Sequence, residues 1–223
     1  MSLVGESLPQ RFPVFPLNGA LLLPGGNLPL NIFEPRYLAM VRDAMRTDRI
    51  IGMIQSREVG ETHAGAGPSG QASPLYGVGC VGRITNFSEA DDGRILITLS
   101  GISRFDVVEE LEVDTPYRQV VAGFQRWRQD CEPEEPPAAL RVRLLDVLAR
   151  YFELQGIEAD WRAIEEAPMI PLVISLAMIC PFGPSEKQAL LETQDIAGQA
   201  ELLTTLMDMD VRAAAISESG VRH

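Results

Sequence analysis

The chain has 223 residues, of which 46% are hydrophobic and 22% are charged, the composition of an ordinary globular protein. Residues 1–125 hold 10 basic and 14 acidic groups (−4), residues 126–223 hold 9 and 17 (−8), and the total is −12. Proteins that bind nucleic acids or anionic membranes use clustered lysine and arginine, whereas this chain has a single lysine. Nucleic acid and membrane partners are therefore not expected.

Three cysteines, Cys80, Cys131 and Cys180, lie about fifty residues apart in the sequence. Such scattered cysteines form neither a disulfide framework nor a zinc site, and they favour a reducing compartment. The beginning of the sequence lacks the basic and apolar regions of a signal peptide. The longest apolar run, residues 168–180, is too short to span a bilayer. We expect a cytoplasmic protein.

The first half of the chain predicts short strands that are separated by turn residues. The apolar runs at residues 12–17, 20–23 and 28–33 contain or border prolines, which indicates edge strands and bends. Further strands are predicted at residues 50–55, 75–87, 94–99, 102–111 and 117–124. One helix is predicted to begin at Pro35, and the glycine-rich residues 56–74 predict a mobile loop. Strands joined by hairpins close as a barrel or a sandwich.

The second half of the chain predicts helices. Residues 131–137 are acidic and rich in proline, which is typical of a boundary between two parts. The predicted helices span residues 140–154, a short stretch around Trp161, residues 169–180, a helix capped by Ser185 with Gln188, and residues 196–211. The sequence therefore predicts an α+β chain with a β-rich part at residues 1–125, a linker at 126–137 and a helical part at 138–223.

The sequence offers no set of residues for catalysis. Gly77-x-Gly79-x-x-Gly82 has the spacing of a dinucleotide-binding loop, but strand residues follow it, so we predict a bent, glycine-rich strand. The two histidines, His63 and His223, lie in the glycine-rich loop and at the terminus. Lys187, in the first turn of a helix, is predicted to be solvated and to be structural or inert instead of catalytic. No Gly-x-Ser-x-Gly elbow or P-loop is present, and we expect no cofactor or metal.

An ordered series of motifs closely resembles the N-terminal domain of the Lon protease family. The motifs lie at residues 12–17, 23–30, 32–37, 76–79, 82–84, 92–95, 100–105 and 180–192. The resemblance covers about residues 12–207 and implies a PUA-like β pseudobarrel with one or two short helices, followed by an α-helical bundle. The chain resembles a stand-alone form of this domain, without the ATPase and the Ser–Lys protease that follow the domain in Lon. The glycine-rich loop and the short tail depart from the family pattern.

In that family the domain helps to recognise unfolded or tagged substrates. The resemblance therefore implies a non-catalytic module whose partner is an unfolded or extended polypeptide or a specific protein. An extended peptide has two ways to bind, by adding to an edge strand or by docking side chains in a cleft between the two parts. The candidate residues are Pro24, Phe33, Glu34, Arg36 and Tyr37.

Three alternatives remain open at this stage. The side chains of Glu34 and Arg36 either pair to build the helix start or bind a partner. Trp127 and Trp161 serve either core packing or partner binding. Because PUA-like folds often bind RNA, the alternative function is RNA binding, which needs a basic stripe. That stripe would have to be assembled from Arg83, Arg94, Arg104 and Arg118.

Overall fold

The computed structural model describes residues 8–57 and 73–220, with residues 217–220 as backbone only. The first part contains β1 (Arg11–Pro16), β2 (Asn27–Ile32), α1 (Pro35–Met45), β3 (Ile50–Ile54), β4 (Val78–Glu89), β5 (Ile95–Leu111) and β6 (Gln119–Gly123). A 3₁₀ helix at Gln125–Cys131 leads to α2 (Ala138–Gln155), α3 (Trp161–Glu166), α4 (Met169–Ile179), α5 (Pro184–Glu192) and α6 (Ile196–Gly220). The α+β class is confirmed. Most of the predicted loop at 56–74, with His63, lies outside the described residues, as does His223.

The strands form a mixed sheet in the order β2-β5-β4-β3-β1-β6, and β6 also pairs with β5. This additional pairing closes five of the described strands into a barrel and leaves β2 outside it. Strand β5 makes the arrangement possible because it is 17 residues long. Its first half pairs with β2 and β4, and its second half pairs with β6. The predicted pseudobarrel, followed by helices, is therefore present.

Two strand predictions were wrong. Residues 94–99 and 102–111 form the single strand β5, because Ser100 and Gly101 continue the pairing instead of breaking it. Residues 20–23 are not a strand, although Leu21, Leu22 and Leu23 are buried. This segment passes over glycines of β4 and β5. A Cβ on Gly101 would lie 2.0 Å from the Leu23 carbonyl oxygen, so the glycine allows the close approach.

The glycine motif of β4 serves packing. A Cβ on Gly79 would lie 2.5 Å from the Phe105 ring and 2.6 Å from the Met53 carbonyl oxygen. A Cβ on Gly82 would lie 2.8 Å from the Leu22 side chain. The pairing of β4 with β5 also shifts between Val81 and Gly82. The prediction of a bent, glycine-rich strand is confirmed.

The helical part packs on the barrel through a shared hydrophobic core. The core joins buried residues of the first part, such as Phe15 and Leu22, to Leu144 of α2 and Leu203 of α6. A smaller cluster around Phe105 fills the barrel itself. Helix α2 ends at Gly156, whose positive φ of 63° forms the predicted stop. The division at residues 126–137 stays a prediction.

Helix α5 departs from its predicted start and exposure. The residue that precedes α5 is Gly183, and its N–H donates to Glu186 Oε2 at 2.7 Å. The N-terminal cap of the helix therefore involves Gly183 and Glu186, instead of the predicted Ser185 and Gln188. Lys187 is buried instead of solvated, and its Nζ donates to the Gly19 carbonyl at 2.8 Å. Burial lowers the pKa of Lys187. The prediction failed because α5 docks on the segment after β1, which covers a turn that an isolated helix would expose.

Candidate polypeptide-binding surfaces

Four of the predicted site residues lie together in a corner between β2 and α1, here called the corner: Phe33, Glu34, Arg36 and Tyr37. Pro35 occupies the start of α1, which fixes the turn of the chain from strand to helix. The Arg36 Nη2 lies 2.8 Å from Glu34 Oε2, and both side chains are about half exposed. The two residues therefore pair with each other at the surface of the protein.

Tyr37 is the buried residue of the corner. Its side chain is buried, and its ring centroid lies 4.2 Å from that of Phe15. The Arg36 guanidinium lies over the Tyr37 ring, 4.5 Å from its centroid, in a cation–π arrangement. Burial raises the pKa of Tyr37, and the positive charge of Arg36 partly opposes this. Tyr37 therefore holds Arg36 in place and offers little surface to a partner.

Phe33 is the exposed apolar residue of the corner, with 65% of its surface accessible. It follows buried Ile32, and the alternation along the strand directs it outward. Leu96 of β5, also exposed, pairs with Asn31 and so lies on the same outer side as exposed Pro29. We call Pro29, Phe33 and Leu96 the outer β2 face. Leu96 is not among the residues predicted from the sequence, although its position between the apolar Ile95 and Ile97 of a strand indicates an outward side chain.

Pro24 lies apart from the other four predicted residues. It precedes β2, whereas Phe33 follows it, and the strand rise places the two ends of Asn27–Phe33 roughly 20 Å apart. The structure therefore brings together four of the five predicted residues. Pro24 instead lines a cleft of about 570 Å³ between the two parts of the chain, here called the proline cleft.

The proline cleft is walled by three segments. Leu23 and Pro24 form one wall, the acidic segment 132–137 forms the second, and the beginning of α6 with Ile174 of α4 forms the third. Its volume is within the range of small-ligand sites, and its lining mixes apolar and polar groups. A cleft between the two parts was one of the two predicted modes of peptide binding.

A buried ion pair forms the base of this cleft. Arg104 Nη2 lies 2.5 Å from Asp130 Oδ1, and both side chains are at most 4% exposed. The same guanidinium donates to the carbonyls of Leu191, Thr193 and Gln194, beside the end of α5. It also lies 4.2 Å from the centroid of the Trp127 ring. Arg104 thus ties β5, the 3₁₀ helix and α5 together.

The two tryptophans differ in role. Trp127 is 1% exposed, so it belongs to the core. Trp161 is 36% exposed and packs one side on Phe152, with ring centroids 5.7 Å apart. Core packing therefore accounts for the burial of Trp127 and, in part, for the position of Trp161.

The free edge of β2 is poorly suited to adding another strand. The Gly101 N–H donates a hydrogen bond to the Gly26 carbonyl. In an antiparallel pair, every second residue directs its backbone N–H and C=O groups toward the neighbouring strand. The backbone groups of Asn27, Pro29 and Asn31 therefore point away from β5, toward the free edge. Proline has no N–H, so the middle of this free edge lacks a donor. Of the two predicted modes of binding, side-chain docking fits this geometry better.

The arginines of the RNA alternative do not form a free basic stripe. Arg94 pairs with Asp92 at 2.6 Å, Arg118 with Glu110 at 2.5 Å, and Arg104 with Asp130. Three of the four positive charges are thus matched by carboxylates. Among residues 8–57 and 73–220 the structure therefore gives RNA binding no support.

The two buried cysteines, Cys80 and Cys180, fit packing roles. Cys80 and Cys180 are buried, and burial raises the pKa of both thiols, that of Cys180 to about 12. A buried thiol with a raised pKa is a poor nucleophile at neutral pH. In the described part of the chain, no three His, Cys, Asp or Glu side chains group together as metal ligands. No helix within that part is long and apolar enough to cross a membrane.

The family model of the ATP-dependent protease La (LON) substrate-binding domain matches residues 11–209. The chain therefore belongs to the family of Lon substrate-binding domains. This agrees with the resemblance seen in the sequence motifs. It also agrees with the barrel and helices described above.

Two curated relatives show the extent of the similarity. Lon protease 2 of Myxococcus xanthus is 29% identical over 206 residues, which cover 91% of this chain and 24% of the relative. The Lon protease of Anaeromyxobacter dehalogenans is 26% identical over 207 residues, with the same two coverages. This chain thus spans about a quarter of the length of the curated relatives it matches.

Two solved structures share the fold. A Lon N-terminal domain protein from Xanthomonas campestris superposes with a TM-score of 0.62 at 24% identity, covering 87% of this chain and 97% of its own. The N-terminal domain of the Mycobacterium avium complex Lon protease gives a TM-score of 0.61 at 15% identity, covering 89% and 98%. At these identities the similarity establishes the architecture.

Proposed function

We propose that this chain is a non-catalytic, cytoplasmic module that recognises unfolded or extended polypeptides, as an adaptor or substrate-recognition unit. Its membership of the Lon substrate-binding family supports recognition of protein substrates. The scattered, unpaired cysteines support a reducing compartment. The domain division at residues 126–137 is part of this proposal, with a β-rich part for docking and a helical part that completes the cleft.

The exposure of Phe33 is the observation that carries the proposal. Phe33 is 65% exposed and belongs to neither hydrophobic cluster of the described residues. Leu96 and Pro29 extend the apolar surface beside it, and the Glu34–Arg36 pair borders it with hydrogen-bonding groups. An apolar surface with a polar border fits unfolded chains, which expose apolar side chains next to backbone amides.

The first test is binding of Phe33→Ser to a permanently unfolded protein, such as reduced and carboxymethylated α-lactalbumin, by fluorescence anisotropy. Burying one phenylalanine in a complex contributes about 1.5–3 kcal/mol, so we expect affinity to fall roughly tenfold or more. Stability should be unchanged because the side chain is exposed.

The matched control is Val142→Ser, which removes an exposed apolar side chain from α2, on the helical part of the chain. This variant should bind like the unaltered protein. Equal loss of affinity in both variants would mean that binding is a general apolar effect. Full affinity of Phe33→Ser would place polypeptide binding away from the corner.

A further inference from the structure

The wall of the proline cleft contains a buried acceptor without a donor. Gln199 of α6 is 2% exposed, and its Nε2 donates to the Leu190 carbonyl at 3.1 Å. That bond fixes the orientation of the side-chain amide. Its Oε1 has no hydrogen-bond partner among the described residues. An unpaired buried acceptor is unfavourable, and a ligand that supplied a donor there would remove the penalty.

The charge of the cleft favours a cationic ligand. Its lining contains one arginine and five carboxylates, a net charge of −4. Arg104 is already committed to Asp130 and to three carbonyls, so it offers nothing to an anion. At the beginning of α6, Asp195 Oδ1 accepts a hydrogen bond from the Gly198 N–H at 2.7 Å. The position where an anion would bind the first turn of this helix is therefore taken by a carboxylate of the protein. The carboxylates of the acidic segment and of the beginning of α6 therefore oppose an anionic ligand.

The remaining lining suits an aliphatic chain. Apolar side chains stand on all three walls of the cleft, contributed by Leu23, Pro24, Pro136, Ile174 and Ile196. Arginine and lysine combine an apolar stem with a charged, donor-rich head. Their stems match these walls, and their heads match the carboxylates and the Gln199 oxygen.

We propose that the proline cleft binds an arginine or lysine side chain of an extended client polypeptide. The stem lies between the apolar walls, while the cationic head donates to Gln199 Oε1 and faces the exposed Glu134 and Glu135. Because Gln199 is covered in the free protein, the surrounding side chains move apart when the head enters. This inference rests on the proposed polypeptide binding and gives it a specificity, namely a basic residue next to apolar ones.

The test compares three fluorescein-labelled peptides, Gly-Leu-Leu-X-Leu-Ala-Gly, in which X is arginine, lysine or citrulline. Citrulline has nearly the shape of arginine but no charge. We expect citrulline to weaken binding at least about tenfold relative to arginine, and added salt to reduce the difference. Lysine binding at a similar affinity supports the same cation site. Equal binding of arginine and citrulline would overturn this inference and leave the proposed function standing, whereas binding of none would count against both.

Protein variants then locate the effect in the cleft. Glu134→Gln with Glu135→Gln should weaken binding of the arginine peptide about fivefold and leave the citrulline peptide unchanged. Glu153→Gln with Glu158→Gln changes the net charge equally at exposed positions of α2 and the loop after it, outside the lining of the cleft. This control should bind both peptides like the unaltered protein. The same loss in both double variants would reduce the effect to overall charge and overturn the assignment to the cleft.

Discussion

Arg104 shows how far a residue's role depends on its neighbours in space. In the sequence it belongs to a series of arginines that an RNA-binding surface would need. In the structure its guanidinium is buried against Asp130 and the Trp127 ring, and it satisfies three carbonyls beside the end of α5. A buried charge is tolerated only with such partners. Arg104 is therefore an internal connector.

We expect Arg104→Met to lower the free energy of unfolding by about 3–5 kcal/mol, because it leaves the Asp130 carboxylate buried without its cation. The comparison is Arg118→Met, which breaks the partly exposed pair with Glu110 and should cost at most about 1 kcal/mol. Urea unfolding of both variants measures the difference. Similar values for the two would show that the Arg104 pair contributes no more than a surface pair.

The positions of the candidate residues follow from the sequence to different degrees. The corner could be predicted because Glu34, Pro35 and Arg36 are consecutive, so their local geometry follows from helix initiation. Pro24 is predicted to belong to the same site, but β2 lies between it and the corner. The burial of Lys187 depends on Gly19, far away in sequence, and no local pattern indicates it.

Among the elements, β4 illustrates a motif whose meaning comes from its surroundings. Its glycines match a phosphate-binding pattern in letters, but they lie within a strand against bulky side chains. Sequence periodicity predicted most strands and helices within a few residues, since local alternation decides them. The same periodicity predicts two strands where β5 is continuous, because Ser100 and Gly101 resemble turn residues in the sequence. The reason for a glycine within this strand is the close packing of residues 20–23 on Gly101, which only the structure shows.

Alanine substitutions distinguish the glycines of this motif. Gly79→Ala places a methyl group 2.5 Å from the Phe105 ring, so we expect a loss of about 2–3 kcal/mol of stability. Gly77→Ala meets no atom within 4 Å, so its effect should stay within about 1 kcal/mol. Thermal unfolding of the two variants gives the comparison. Equal stability of both would contradict the packing role of Gly79.

At the scale of the whole molecule, the larger of the two hydrophobic clusters in the described residues is shared by both parts. This cluster contains residues of α2, α4 and α6 together with three leucines of the first part, Leu21, Leu22 and Leu23. The sequence predicts a boundary at residues 126–137 from composition, but composition carries no information about which side chains meet across it. Separate strand-rich and helix-rich stretches are thus compatible with a single cooperative unit.

We expect the chain to unfold in one transition, because loss of the helical part would expose the leucines of residues 21–23 and the side of the barrel beneath them. In a Trp161→Phe variant, Trp127 is the remaining tryptophan and reports on the boundary between the parts. Its fluorescence and the far-UV circular dichroism should give the same midpoint in urea. Two separated midpoints would show that the parts are independent domains.

Pro29 has a consequence for how this protein behaves among aggregation-prone chains. Under the proposed function, this protein would meet unfolded polypeptides whose segments can extend an exposed strand edge by cross-β pairing. The missing N–H in the middle of the β2 edge denies them a continuous row of donors. Under the same proposal, clients would be held by their side chains and released again, instead of extending the sheet into a fibril.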